Sequence, residues 1–142
     1  MNDKITELIT KIISSTKERK IEWGRLSDLF SSNEVGNNLL RQYVLLNERG
    51  AYFYSKNNRI FSLNQFQSFY TEIEQGYVCV LKYVKPDSSY YVIALQSNKH
   101  SSVVELNKKD ELQPELIELA FLIEGQVDNP MQYIDIILEK MK

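Results

Sequence analysis

Near the start of the chain Ile5, Leu8, Ile9, Ile12 and Ile13 fall at i, i+3, i+4, i+7 and i+8, one apolar stripe of an amphipathic helix. Asp3 stands where a cap is needed, Glu7 lies early, and Lys17, Arg19 and Lys20 lie late, so each sign sits at the helix end whose dipole favours it. This helix is expected to end by about Lys20. Ile21, Trp23, Leu26, Leu29 and Phe30 then gather around Gly24 and read as a short second helix that folds Trp23 against the core. After a Ser31-Ser32-Asn33 turn, Val35, Leu39, Tyr43 and Leu46, with Leu40 and Val44 beside them, mark a third helix from about Glu34 to Asn47.

From Gly50 the pattern turns aromatic and β-branched. Residues 51–56 and 59–63 are expected to pair as a hairpin through Asn57-Asn58, because asparagine tolerates the positive φ of a two-residue turn. Residues 64–75 carry both periods. Phe66, Phe69, Tyr70 and Ile73 have helical spacing, whereas Phe69, Thr71 and Ile73 alternate, and the Glu74-Gln75-Gly76 turn that follows favours the strand. In residues 77–84 both alternating sets are apolar, so this strand should be central and covered on each face. Lys85-Pro86-Asp87-Ser88 is a turn into a strand over 89–96, and residues 102–107 are its expected partner across Ser97-Asn98-Lys99-His100. Pro114, in a first turn, starts a helix with Leu112, Leu116, Leu119, Ala120 and Ile123 as its buried stripe until Gly125. Asn129-Pro130 starts the last helix, with Ile134, Ile137, Leu138 and Met141 as its stripe. The fold class expected is α+β, an antiparallel meander of four to six strands flanked by N-terminal and C-terminal helices, in a single domain over 1–142.

Composition narrows the class. With 142 residues, 43% hydrophobic and 25% charged, the chain can bury a core without disulfide or metal. Its single cysteine, Cys79, permits no internal disulfide, and the first apolar stripe is interrupted by Thr6, Glu7, Thr10 and Lys11, unlike a signal or membrane segment. A cytoplasmic protein is expected. Formal net charge is −2 but unevenly spread: residues 110–142 hold eight acidic and two basic residues, leaving a mildly basic body before them.

Few residues offer chemistry. His100 is the only imidazole, in a Lys and Ser loop; Cys79 sits in a Val- and Leu-rich strand where burial disfavours the thiolate. No second Cys or His completes a zinc site, and five isolated glycines give no phosphate loop, so neither a cofactor nor a metal is expected. Glu72, Glu74 and Glu105 leave a carboxylate-dependent hydrolase as the third reading, behind a non-enzymatic one.

Binding to a protein partner is the leading reading. Glu111, Glu115 and Glu118 form an acidic row opposite the leucine stripe, whose reversal to lysine should leave folding intact. The aromatics from Tyr52 to Tyr91 exceed what one sheet face can bury, which makes Tyr52, Tyr54 and Tyr90 further candidates. Lys56, Arg59, Lys82 and Lys85 interleave with them, so a nucleic-acid-binding regulator is the alternative.

The words Ile21-Glu22-Trp23, Leu39-Leu40-Arg41-Gln42-Tyr43, Ser68-Phe69-Tyr70, Gly76-Tyr77-Val78 and the run from Leu116 through the last helix resemble a group of small uncharacterised proteins of low-GC Gram-positive bacteria and their mobile elements. Twelve lysines against five arginines, with three alanines, agree with an AT-rich coding source. The resemblance implies an accessory protein that binds another protein, as an inhibitor or a protective factor. From the interrupted N-terminal pattern, no membrane association is expected.

Overall fold

The computed structural model of the chain describes residues 3–27, 44–46, 52–56, 59–64, 66–84, 88–98, 101, 103–127 and 130–142. Among these, the fold is α+β. Helix α1 (Asp3–Lys17) opens it, and an antiparallel sheet follows: β1 (Gly24–Arg25), β2 (Val44–Leu46), β3 (Tyr52–Lys56), β4 (Arg59–Leu63), β5 (Phe69–Ile73), β6 (Gly76–Val84), β7 (Ser89–Gln96) and β8 (Val104–Glu105). Helices α2 (Gln113–Val127) and α3 (Met131–Lys140) come last. Five strands, β3 to β7, have five residues or more; the other three are short additions at the margins.

Strand β6 is the centre, as its doubly apolar pattern requires. Along one side it pairs with β7 over its length, from Tyr77↔Gln96 to Val84↔Ser89. Its other side is shared by β5, through residues 76–80, and by β4, through Tyr83 and Val84. The chain therefore does not run as a simple meander: β4 and β5 lie end to end on one strand. What permits this is Asn64, whose side-chain oxygen accepts from the backbone N–H groups of Phe66 (3.0 Å) and Gln67 (3.1 Å), looping the chain out before it resumes the same direction. Lys82 pins the same loop, since its carbonyl accepts from Asn64 N at 3.0 Å and its N–H donates to the Ser68 hydroxyl at 2.9 Å. The mixed periodicity of residues 64–75 is thus a side-chain-built turn followed by a strand.

The two sets of β6 residues enter two cores. Val78 and Val80 join Ile93, Phe69 and Trp23 beneath α1 and α2, which contribute Ile9, Ile12, Leu116, Leu119, Ala120 and Ile123. Tyr77, Cys79, Leu81 and Tyr83 join Leu63, Val92, Ala94, Leu26 and Val103 on the opposite face.

Four expectations change. Around Trp23 the chain is extended rather than helical, because Gly24 pairs with Tyr70 and a Cβ at residue 24 would meet the Tyr70 ring at 2.8 Å. Trp23 is nevertheless buried, its indole N–H donating to the Thr16 hydroxyl at 3.1 Å. Val44 to Leu46, expected to end the third helix, are strand β2, paired with Tyr52–Tyr54; cross-strand pairing overrides the local 3.6-residue period. The rest of that segment, with Leu29, Phe30 and the Asn57-Asn58 turn, lies outside the described residues. The β3–β4 hairpin itself has the expected register, Lys56↔Arg59. The partner of β7 shrinks to β8, and side chains take over where it stops: Asn107 Oδ1 accepts from Ile93 N at 2.8 Å, while the Gln113 amide both accepts from Tyr91 N and donates to Tyr91 O at 2.8 Å. Finally, the last helix has the expected span but not the expected burial.

Candidate functional site

Helix α3 begins after Pro130, with Ile134 N donating to Pro130 O at 2.8 Å. Its sequence repeats apolar residues at Ile134, Leu138 and Met141, four and three residues apart, the spacing of a helix–helix seam. With Tyr133, Ile136 and Ile137 added, the apolar positions cover more than half of the helix circumference. Yet every described side chain of α3 except half-buried Ile137 is exposed. Tyr133 is 66% exposed, Leu138 60% and Met141 79%. Helix α2 has exposed apolar residues of its own. Its inner stripe is in the core, but Phe121 is 76% exposed on the outer side, with Ile117 one turn before it also exposed. Exposed apolar side chains in this number are uncommon on one face of a solvated helix.

A second feature is an open depression beside Trp23. Ile21, Glu22, Trp23 and Gly24 face Tyr70, Thr71, Glu72 and Ile73 across a space of about 550 Å³. The Thr71 hydroxyl donates to the Glu22 carbonyl at 2.6 Å and ties its two walls. Glu22 and Glu72 are solvated here and bring no buried polar group into the space. A smaller depression of about 320 Å³ adjoins it at Gln126 and Val127.

The residues singled out by sequence are dispersed. Glu111 precedes α2, and its carboxylate accepts from Lys108 N at 2.8 Å, so it closes a turn. Glu118 is on the helix surface, 3.3 Å from the Lys17 ammonium of α1. Glu115 is exposed in the first turn of α2. The three do not form one helix row, because α2 starts at Gln113. Tyr52 and Tyr54 lie on β3, with side chains outside the described set. Tyr90 is half-buried, stacked on Tyr83 with ring centroids 5.1 Å apart, and burial pushes its hydroxyl pKa up.

Other tyrosines are structural as well: Tyr77 and Tyr83 are buried, and the Tyr83 hydroxyl donates to Glu105 at 2.6 Å. Among the described aromatics, Phe69, Tyr70, Tyr77, Tyr83, Tyr90 and Tyr91 lie in or against the two cores, whereas Phe66 is exposed. Lys82 donates to Gln67 Oε1 at 2.6 Å and lies 5.6 Å from the Tyr91 ring centroid, an internal role for one of the four cations. Glu72 and Glu74 are exposed, and His100 lies outside the described residues. Cys79 is buried, and burial pushes its thiol up to about 12. Sequence reasoning missed the outer α2–α3 surface, although Ile117 and Phe121 at i, i+4, outside the inner stripe, were its signal.

Among the described residues no helix is long and apolar enough to cross a membrane, and no cluster of three metal-ligating side chains occurs. No protein-family model, curated protein or solved structure matches the chain.

Proposed function

We propose that the protein is a binding module that makes contact with protein through the outer surface of α2 and α3. The observation that carries this reading is the exposed apolar side of α3, which a ten-residue helix has no use for in water. Isolated helices of this length are marginal, so α3 gains its stability from what it packs against. Helix-in-groove recognition uses anchors at i, i+4 and i+7, the spacing of Ile134, Leu138 and Met141. An accessory role is consistent with this surface.

Chemical cross-linking of the full chain in extract of its host tests the reading. Lys140 and Lys142 flank the apolar side and are exposed, so both should form links to a second polypeptide. Leu138→Asp should abolish those links while leaving links within the chain unchanged. Links confined to the chain itself in the wild type would refute the proposal.

A further inference from the structure

We infer that the occupant of this surface is a second copy of the same chain, joined by reciprocal exchange of α3 onto the outer face of α2. The inference rests on the binding reading above and names its partner. Both halves of one helix–helix contact are present and unfilled in a single chain. Helix α3 offers Ile134, Leu138 and Met141, and α2 offers Ile117 and Phe121, all exposed. Under a two-fold axis, α3 of each copy covers α2 of the other, so the same contact is made twice and the assembly closes.

Area agrees. The facing side chains, Ile134, Leu138 and Met141 of α3 with Ile117 and Phe121 of α2, present on the order of 600 Å² per copy, the lower end of what one partner gives to a stable interface. Gly125 fits the same picture. It lies one turn beyond Phe121, and a Cβ there would meet nothing within 4 Å. Among the described residues no contact asks for glycine at this helical position, and its bare backbone lets a second helix approach closely.

Light scattering on the purified full chain, over a wide dilution series, tests the inference. Wild type should show twice the 16.7 kDa of one chain and dissociate on dilution. Phe121→Lys and Leu138→Asp should each reduce the mass to one chain, with circular dichroism unchanged because both side chains are exposed. Mixing the two variants is the decisive arm. One contact of the mixed pair is then wild type on both sides and the other sets Lys against Asp, so the doubled mass should return. A wild type of single-chain mass at every concentration overturns the inference, as does a doubled mass that survives both substitutions or a mixture that stays at single-chain mass. If the wild type is single-chain but its cross-links to another polypeptide still require Leu138, the binding reading stands and only the second copy falls.

Discussion

Trp23 shows how one side chain can join three elements. Its ring is in the core with α1, α2 and β6, its N–H is satisfied by Thr16, and the Thr16 carbonyl accepts from Gln126 of α2 at 2.6 Å. Trp23→Ala should therefore lower unfolding free energy by roughly 3–5 kcal/mol, the range for truncating a large buried aromatic, read from urea denaturation. Near-wild-type stability would show that the ring is not part of the core. Two glycines should respond in opposite directions. At Gly76 a Cβ would meet the Gln96 carbonyl oxygen at 2.5 Å, and backbone cannot move aside. Gly76→Ala should destabilise the β5–β6 turn by roughly 1–3 kcal/mol, as overpacking does. Gly125→Ala, measured with Leu138→Asp so that single-chain effects alone act, should instead stabilise α2 by about 0.5–1 kcal/mol. Thermal melts of both variants check the contrast, and equal signs would contradict the two environments.

At the level of elements, β7 is the strand whose outer edge is closed by side chains. Asn107 is buried and its amide donates to the carbonyls of Tyr91, Lys108 and Glu111 while accepting from Ile93 N. This replaces a ladder that β8 is too short to supply, and it blunts an edge that would otherwise invite pairing. Asn107→Ala should cost about 1–3 kcal/mol, because it leaves the buried Ile93 N–H without its acceptor, while the carbonyls of Tyr91, Lys108 and Glu111 each keep a second donor. Asn107→Asp should cost more at neutral than at acid pH, since only the protonated carboxyl can donate to a carbonyl. Denaturation at two pH values distinguishes these outcomes, and an equal cost at both would remove the donor role. Reversal of the three glutamates is also not neutral: Glu111→Lys removes the acceptor of Lys108 N, whereas the exposed Glu118–Lys17 pair is worth little.

For the whole molecule, pH dependence follows from what the two cores hide. Burial raises the Cys79 thiol from 9.0 to about 12, and burial also raises Tyr77, Tyr90 and Tyr91. Groups whose folded pKa is raised bind more protons folded than unfolded, so their stability is complete below the unfolded value and is lost as pH rises toward the folded one. Melting temperature should be level up to about pH 9 and fall between there and about pH 12, following the Cys79 values. A rise in that window would contradict the burial. Native Cys79 should accordingly label slowly with thiol reagents and label fast once unfolded.

Local pattern was enough for α1, the β3–β4 hairpin, strands β6 and β7, and the approximate spans of α2 and α3, which have clear punctuation such as Gly76, Pro114 or Pro130, whereas β5 carries both periods and only the turn after it favoured a strand. Pattern also placed Cys79 and Trp23 in the interior. Tertiary structure decided what depends on partners distant in sequence. Gly24 became strand because Tyr70 lies across it, Val44 became strand because β3 does, and β4 came to share β6 with β5 because Asn64 and Lys82 fix the loop between them. The same limit governs the candidate surface. An apolar stripe reports that a helix must bury something, and Ile134, Leu138 and Met141 read identically whether they face their own core or another chain. Only the packed fold, with α1 and α2 already filling the helical face of the sheet, shows that α3 is left outside it.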